Sequence, residues 1–527
     1  FDPIVFDGRD PAAYVWAIFE MEHRLTVAAE AIRLGKACYP VRLPYGVAVA
    51  PKGAGFYGEG TPASHNLPLG GNPREDATAA SHFNEGAREL WVPLQELTGV
   101  IGKFQHHKDS GRLLERDHSL AHRKVKLSNL PSLEYRTVPK DRLDDSARTF
   151  ACPMEAVDRV FLSAVQANPH LRPRIGNPDE MRSNRMNRTL DALKHRVTDP
   201  EPDSAESIQG AVITALNEEA VASAALGNKG GINLIVTYEA FGSKMFGVIR
   251  QEVIFANHCR EAGRPPHWLS IPLVLTSHTY ENGKNEQSHQ DPGMAESMMS
   301  ESSDVSRVFF PADYNTTAAV MHAVYQTHGQ TWTLVVPKAD TLPDLFTPEE
   351  ASRLLHEGGI RLDWAGYLPD RARLILTAVG AYQLIEVLKA SKRLKEKKIE
   401  HAVVYLLEPC RLRLARSEGE QRHCLDAKRK AFLYPEEVLA RLFVSHIRPE
   451  ILMGILQPLW TSDTVGLGYI NRGGTLNTNG MLFVNRSSWA HCLEQAAVLL
   501  DLQPEDLLSD NELKALAGKR SPEGVIL

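Results

Sequence analysis

The sequence predicts an α/β protein made of consecutive parallel-sheet domains with flanking helices. Short apolar runs rich in β-branched residues alternate with longer helix-forming stretches, which is the pattern of strands buried on both faces between helices. In the clearest example, a helix-forming stretch at Ala215–Gly227 precedes a buried strand at Ile232–Thr237. A strand–helix–strand order follows further on, at Ala372–Val379, Ala381–Leu394 and His401–Leu407.

The length and composition of the chain indicate an ordinary globular protein of several domains. A chain of 527 residues has room for about three domains of ~150 residues, and its 43% hydrophobic and 24% charged residues are ordinary globular values. A net charge of −6 gives no sign of a nucleic-acid surface. The six cysteines form no C-x-x-C pair, no apolar run reaches ~18 residues, and no signal peptide opens the chain. We therefore expect a cytoplasmic protein that binds neither nucleic acid nor a membrane.

The first 150 residues predict few regular elements. Asp10–Ala31 and Phe83–Leu97 have helical patterns, Tyr39–Ala50 is a strand candidate, and Pro51–Gly71 is a loop rich in Gly and Pro. Thr98–Phe150 is polar and irregular and is expected to be a linker. Its histidines could suggest a metal site, but their spacing fits no zinc pattern and a solvated linker is favoured: His106, His107, His118 and His122.

The rest of the chain predicts a regular α/β order. We expect buried strands at Trp268–Thr276 and Trp332–Pro337, and helices at Pro153–Ala167, Gly242–Glu261, Ala318–Thr327, Val438–Arg448 and Trp489–Leu502. A further helix should begin at Pro348, with Thr347 as its N-cap.

The central stretch resembles a known family. N-E-E-A-V-A-S-A, starting at Asn217, followed by T-Y-E-A-F, ending at Phe241, is similar to the pyrimidine-binding domain of transketolase-type thiamine diphosphate enzymes, and most of all to phosphoketolases. The resemblance implies that Glu218 protonates the aminopyrimidine ring of the cofactor. It also implies that Tyr238 and Phe241 stack on that ring.

Further motifs extend the resemblance. Asp179, Glu180, Ser183, Asn184 and Arg185 match a D-E-x-x-S-N-R segment of phosphoketolases, and the chain carries their S-H-Q-D-P-G letter for letter, ending at Gly293. The family's acid/base role at the substrate then falls on His289. Near the substrate the resemblance places His278, Asn285, Gln290 and Lys338. For Lys338 a surface lysine at a strand end is the open alternative.

The loop at Pro51–Gly71 resembles a G-T-x-x-x-H-x-x-P-L-G loop of transketolase-type enzymes. Gly60-Thr61, His65 and Pro68-Leu69-Gly70 match it. In that family the histidine faces the reactive carbon of the cofactor, so the resemblance gives His65 a role as general acid/base.

Two departures from the family stand out. Lys284 occupies the place of a histidine that helps expel water in phosphoketolases, and a lysine at neutral pH is a fixed cation unless burial lowers its pKa. The chain also has no G-D-G motif, which in the family supplies ligands for the Mg²⁺ that holds the diphosphate. We therefore expect no metal ligands in this chain, with the thiamine diphosphate and Mg²⁺ site completed by a missing N-terminal part.

This comparison predicts the domain organisation and the partners. Residues 1–100 are expected to be the end of the diphosphate-binding domain, 101–150 a linker, 151–345 the pyrimidine-binding domain, and 346–527 a domain like the C-terminal one of transketolases. We expect a second chain or fragment carrying the diphosphate-binding half, and a homodimer, because in this family the cofactor lies between two protomers.

The resemblance implies cleavage of a ketose phosphate, xylulose 5-phosphate or fructose 6-phosphate, with inorganic phosphate to acetyl phosphate and an aldose phosphate. Lys284 leaves open a related thiamine enzyme with another sugar phosphate, or with a transketolase- or epimerase-type outcome. The missing metal motif leaves open a non-catalytic fragment that has lost cofactor binding.

Overall fold

The computed structural model describes residues 2–38, 41–65, 69–109, 111, 117, 119–144, 146 and 148–527. The chain divides into two compact units, residues 1–122 and 123–527. Of the sequence motifs above, Pro68 and His118 lie outside the described residues, as do the side chains of His106 and His107.

The first unit pairs two parallel strands, β1 (Asp2–Asp7) and β2 (Pro44–Val49). Its helices are α1 (Pro11–Arg33), α2 (Ala77–Glu89) and α3 (Leu94–Asp109). The single helix predicted at Phe83–Leu97 is wrong, because α2 ends before Pro93 and α3 begins after it; a proline disfavours helical conformation in the residue before it. Helix α3 also runs into the segment that we expected to be irregular.

The middle of the second unit contains an eight-stranded sheet in the order β5-β4-β6-β3-β7-β8-β10-β9 among the described residues, with every pairing parallel. Its strands are β3 (Pro173–Gly176), β4 (His195–Arg196), β5 (Glu206–Ser207), β6 (Val212–Ile213), β7 (Ile232–Tyr238), β8 (Ile271–Thr276), β9 (Ser306–Phe309) and β10 (Thr331–Val335). Its helices are α4 (Pro153–Gln166), α5 (Asn187–Leu193), α6 (Glu218–Leu226), α7 (Glu239–Gly242), α8 (Phe246–Glu261), α9 (Gly293–Ser300) and α10 (Tyr314–Val324).

Helix α11 (Pro348–Glu357), capped by Thr347 as predicted, leads to a five-stranded sheet in the order β11-β13-β12-β14-β15. Only its edge strand β11 runs antiparallel to its neighbour. The strands are β11 (Gly359–Arg361), β12 (Leu374–Val379), β13 (His401–Leu406), β14 (Ala440–Ser445) and β15 (Thr464–Leu467). The helices are α12 (Ala381–Glu396), α13 (Glu418–His423), α14 (Ala427–Leu433), α15 (Pro449–Ile455), α16 (Thr478–Val484), α17 (Trp489–Leu499), α18 (Pro504–Leu507) and α19 (Asp510–Leu516).

The helix predicted at Val438–Arg448 is wrong, because this segment holds strand β14. All six residues of β14 are buried, and the strand pairs in parallel with β12 on one side and β15 on the other. The gain from pairing on both edges inside the sheet outweighs the local helical pattern.

The two sheets of the second unit share one packed interior. A single cluster of buried apolar residues contains Leu275 at the end of β8 and Val379 at the end of β12. A buried ion pair also joins the sheets, from Arg307 Nη2 on β9 to Glu408 Oε2 just after β13, at 2.6 Å. The parallel α/β architecture predicted from the sequence is confirmed, and both sheets fix the positions of the side chains at their carboxyl edges.

Candidate active site

The candidate site lies at the carboxyl edge of the larger sheet. Strands β7 and β8 are parallel neighbours, and their last residues, Tyr238 and Thr276, are register partners. The segments that follow the two strands therefore begin side by side, at the edge where ligands of open α/β sheets bind. Every residue of the two strands except Tyr238 is buried, so Tyr238 is the first side chain to emerge from the sheet.

An aromatic group forms where β7 gives way to α7. The rings of Tyr238 and Phe241 lie 5.9 Å apart, inclined by 23°. The imidazole of His289 lies 4.8 Å from the ring of Phe241 and 6.3 Å from that of Tyr238, although the chain reaches it only after β8. The structure thus brings together three of the residues predicted to share a site.

Glu218 joins this group through a lysine. It is the first residue of α6, whose N-cap Asn217 accepts a hydrogen bond from the amide of Ala220 at 2.9 Å. The Glu218 side chain is only 13% exposed, and its Oε1 accepts a hydrogen bond from Lys244 Nζ at 3.0 Å. The same Nζ lies 4.4 Å from the centre of the Phe241 ring. Short contacts therefore connect the predicted acid with the aromatic group.

His289 has the properties of a proton acceptor near neutral pH. Burial lowers the pKa of its imidazole, and the positive charge of Lys244 acts in the same direction. Its Nδ1 lies 2.8 Å from the hydroxyl of Ser288. A neutral imidazole held in this way can take a proton from a substrate hydroxyl and return it.

Lys338, which follows strand β10, lies beside the ring of Tyr238. Its Nζ donates to the carbonyl of Ser183 at 3.2 Å and lies 5.1 Å from the centre of the Tyr238 ring. The hydroxyls of Ser183 and Tyr238 are 2.7 Å apart. Burial lowers the pKa of Lys338, with Glu281 acting in the opposite direction. The lysine predicted to lie near the substrate therefore faces the aromatic group, although its role stays a prediction.

Sequence reasoning assigned no role to Glu180, which lies beside this group. Burial raises the pKa of its carboxyl from 4.5 to about 7, outweighing the Tyr238 amide and the charge of Lys338, which both lower it. Its Oε2 is buried and has no hydrogen-bond partner among the described residues. The D-E-x-x-S-N-R match was the only signal in the sequence, and it did not single out this glutamate.

The remaining predicted substrate residues differ in accessibility. Gln290 is 2% exposed, and its Nε2 donates to the carbonyls of Asn282 and Gly474, both at 3.1 Å. Asn285 is exposed and donates from Nδ2 to Asn282 Oδ1 at 3.0 Å. Lys284, the residue that departs from the family, is also exposed. Gln290 thus links the loop after β8 to Gly474, which follows the last strand of the smaller sheet. Asn285 and Lys284 face solvent.

His278 belongs to a buried network at the junction of the two sheets. Glu239 Oε2 accepts from both the amide and the hydroxyl of Thr279 at 2.8 Å, and His446 Nε2 lies 2.8 Å from Glu239 Oε1. Nitrogen atoms of His278 and His446 and an oxygen of Glu239 all lie within 4.8 Å of one another. Burial acts to raise the pKa of Glu239, but the neighbouring His446 and His278 prevail and lower it. The sequence did not reveal this network, since His446 follows a strand predicted as a helix.

His65 lies in the first unit, at the end of a 3-10 turn (Pro62–His65), where it is exposed and its Nδ1 contacts Lys52 Nζ. Its role at the cofactor stays a prediction. In the part of the chain that the structure describes, no helix has both the length and the apolarity needed to cross a membrane.

The comparisons with known proteins agree with the motifs. Residues 155–327 match the family profile of D-xylulose 5-phosphate/D-fructose 6-phosphate phosphoketolase. A probable phosphoketolase of Lactococcus lactis subsp. lactis (strain IL1403) is 28% identical over 245 residues, which is 45% of this chain and 30% of the relative. A probable phosphoketolase of Brucella abortus (strain 2308) is 25% identical over 341 residues, 62% of this chain and 42% of the relative. This chain thus matches less than half the length of either relative.

Transketolases are among the solved structures similar to this one. The chain superimposes over 95% of its length on 67% of Pichia stipitis transketolase in complex with sedoheptulose 7-phosphate, with a TM-score of 0.59 and 18% identity. For transketolase of Leishmania mexicana the coverage is 90% and 64%, the TM-score 0.58 and the identity 14%. At this identity the likeness concerns the fold alone. Over residues 155–327 the chain is therefore similar to the phosphoketolase family, and its α/β fold is transketolase-like.

Proposed function

We propose that this chain carries the pyrimidine-binding half of a thiamine diphosphate-dependent enzyme that cleaves a ketose phosphate with inorganic phosphate to acetyl phosphate and an aldose phosphate. The observation that carries the proposal is the meeting of Glu218, Tyr238, Phe241 and His289 at one sheet edge. All four lie within the segment that matches the phosphoketolase profile.

The residues present fit an aminopyrimidine ring. A flat heteroaromatic ring needs an aromatic surface to stack on and a carboxyl group to bond its ring nitrogen. Phe241 and Tyr238 offer the first, and Glu218, mostly shielded from water, offers the second. When bound, thiamine diphosphate would supply an electron sink for cleavage of a carbon–carbon bond.

Each residue then has a separate task. Glu218 holds a proton at the ring nitrogen, and Tyr238 and Phe241 orient the ring. His289, whose pKa burial lowers, moves protons at the substrate hydroxyls. Lys338 places a positive charge beside Tyr238 that can bind a substrate phosphate as a point charge. In this proposal His65 acts as a second acid/base, and Mg²⁺ is bound by a complementary diphosphate-binding half.

The first unit supports a role for such a partner. In the described residues the sheet of this unit has two strands. Each strand pairs with the other along one edge, and no described strand pairs with its second edge. Several large apolar side chains on α1 are more than half exposed: Val15, Trp16, Ile18, Phe19 and Val27. A parallel sheet is normally covered on both faces, so this unit presents a surface suited to further strands and helices.

The direct test is enzymatic. The chain is combined with a candidate diphosphate-binding half from the same source, with thiamine diphosphate, Mg²⁺ and phosphate, and given xylulose 5-phosphate or fructose 6-phosphate. Acetyl phosphate, detected as its hydroxamate, should form only when both protein parts are present. If thiamine diphosphate binds to the pair but no acetyl phosphate forms with either sugar, the phosphoketolase reaction is refuted.

Lys284 favours a second candidate outcome. An exposed lysine replaces the histidine that the resemblance places at the step releasing water, and a cation of this kind does not shuttle protons. The alternative is transfer of the two-carbon fragment to an aldose acceptor. Adding ribose 5-phosphate in place of inorganic phosphate, and measuring a new ketose phosphate, would distinguish it from the phosphoketolase reaction.

A further inference from the structure

The feature that the proposed function leaves unexplained is Lys244. Its ammonium group makes two contacts at once, with Glu218 Oε1 at 3.0 Å and with the face of the Phe241 ring at 4.4 Å. These are the carboxylate and one of the aromatic rings that the proposed function reserves for the pyrimidine ring. A cation placed between a carboxylate and the face of an aromatic ring is attracted to both, to the carboxylate by its negative charge and to the ring by its quadrupole.

We propose that Lys244 is an internal occupant of the pyrimidine pocket, which a bound pyrimidine ring must displace from between Glu218 and Phe241. The inference rests on the proposed function and identifies a residue that sets the affinity of the same site. Lys244 thereby acts on binding of the ring without being a catalytic residue.

The geometry makes the displacement inexpensive. Lys244 lies in the short 3-10 turn Ser243–Met245, between α7 and α8, and its side chain is 57% exposed. Its flexible side chain can turn into water while the backbone stays in place, and the release returns rotamer freedom. Glu218, only 13% exposed, stays positioned by α6. The pocket thus has a movable side chain on one side and a fixed acid on the other.

Displacement would also change His289. The groups around its imidazole are Ser288 at Nδ1, the rings of Tyr238 and Phe241, and the charge of Lys244. When Lys244 leaves, one of the causes that lower the pKa of His289 is removed, so the imidazole becomes more basic. The loss of this positive charge therefore acts to raise the pKa of His289.

The test uses Lys244→Met, which keeps an unbranched, flexible side chain and removes the positive charge. The chain offers a matched control in Lys229, whose Nζ pairs with Glu252 and lies 4.4 Å from the ring centre of Trp268, beyond the other end of β7. The probe is 4-amino-5-hydroxymethyl-2-methylpyrimidine, the ring half of thiamine, which needs no diphosphate site. Its affinity is measured by NMR titration of the full chain.

Lys244→Met should bind the pyrimidine about 3- to 10-fold more tightly than the parent, the scale of losing an exposed ion pair and a cation–π contact. Lys229→Met should bind like the parent. Equal or weaker binding by Lys244→Met would overturn the inference, and weaker binding would mean that Lys244 helps to hold the ligand.

A second measurement separates this inference from the proposed function. In the absence of ligand, the pKa of His289, followed through its imidazole NMR signals, should rise in Lys244→Met and stay unchanged in Lys229→Met. If His289 shifts while neither protein binds the pyrimidine, Lys244 occupies the pocket but the thiamine assignment is wrong. If both bind equally and His289 does not shift, the pocket is correct and the inference about Lys244 is refuted.

Discussion

Adjacent glutamates at the start of α6 have different surroundings. Glu218 is 13% exposed and contacts Lys244, whereas Glu219 is exposed and lies towards Gly247 on α8. Neighbouring residues of a helix point about 100° apart, so the two cannot serve the same ligand. This pair provides an internal comparison for the proposed acid.

Replacing Glu218 by Gln should lower turnover of xylulose 5-phosphate or fructose 6-phosphate by ~10²–10⁴-fold, the usual scale for losing one positioned acid. The amide cannot donate an acidic proton, which explains the loss of turnover. Because the amide keeps the size of the side chain and a hydrogen bond, thiamine diphosphate should still bind in the presence of the complementary half. Steady-state kinetics measure the change. Glu219→Gln is the control and should be mild; equal effects of the two substitutions would refute the role of Glu218.

Glu180 predicts a pH dependence of stability. Because its pKa is raised from 4.5 to about 7 in the folded state, the folded protein holds a proton that the unfolded chain releases between these values. This contribution to stability is complete below pH 4.5 and is lost as the pH rises towards about 7. Glu180→Gln should remove that slope and make the protein more stable above pH 7 by ~1–2 kcal/mol, a value reduced for partial solvent contact.

The measurement for Glu180 is the difference in urea unfolding between variant and parent from pH 4.5 to 8. Glu219→Gln, an exposed glutamate of the same region, serves as the control and should show no such difference. A constant difference across the whole pH range would contradict the raised pKa of Glu180.

Residues of the candidate site divide into those that local patterns reveal and those that only packing reveals. Glu218, Tyr238, Phe241 and His289 could be predicted because they lie in motifs that resemble those of a known family, near the ends of recognisable elements. Glu180 was missed as a functional group, because its raised pKa comes from burial by distant parts of the chain. A sequence shows that a glutamate is present but does not show how much water surrounds it.

At the scale of elements, strand β7 and helix α6 could be predicted because local pattern and tertiary position agree. The expected strand Ile232–Thr237 differs from the observed Ile232–Tyr238 by one residue, and α6 begins after Asn217 as its N-cap. The strand agrees because a short, mostly apolar run rich in β-branched residues is also what a central strand needs.

Strand β14 could not be predicted, because Arg441 interrupts its apolar run. This arginine is 5% exposed, and its guanidinium donates to the carbonyls of Val438, Leu459 and Pro435 at 3.0, 2.7 and 2.8 Å. Those acceptors satisfy a buried charge that would otherwise be costly. The sequence alone predicted a helix at Val438–Arg448, and the error concealed the position of His446.

Glu239 follows strand β7 and His446 follows strand β14, and substitution tests the pair that they form at the junction of the two sheets. Glu239→Ala should lower the free energy of unfolding by ~3–5 kcal/mol, because it leaves His446 and the donors of Thr279 buried without their acceptor. The pKa of Glu239 is lowered in the folded state, so the loss should be largest above the pKa of an unfolded glutamate and shrink as the pH falls.

Urea unfolding measures the effect of Glu239→Ala, with the exposed Glu437→Ala as control, expected within about 0.5 kcal/mol of the parent. The double variant of Glu239→Ala with His446→Ala should cost less than the two single changes added together, since the pair interacts directly. Additive losses would mean that the two side chains are not coupled.

At the scale of the whole molecule, the two sheets of the second unit share one interior, with Arg307 and Glu408 paired inside it. The first unit differs, because it exposes large apolar side chains on α1, such as Trp16 and Phe19 at 54% and 65%. Surfaces of this kind are usually covered by another chain or domain. The molecule therefore has one well-buried part and one part suited to partners.

The last prediction concerns assembly. We expect a homodimer joined mainly through the middle domain, because in the transketolase-type enzymes that this chain resembles the cofactor lies between two protomers. An interface that supports such a site should bury more than ~2,000 Å² and be largely apolar. Light scattering at micromolar concentration should then give the mass of two 58.5 kDa chains, and the mass should not fall at high salt, since apolar burial is not screened. A mass of one chain under these conditions would contradict the prediction, and a dimer that dissociates in salt would indicate an interface held by charge instead.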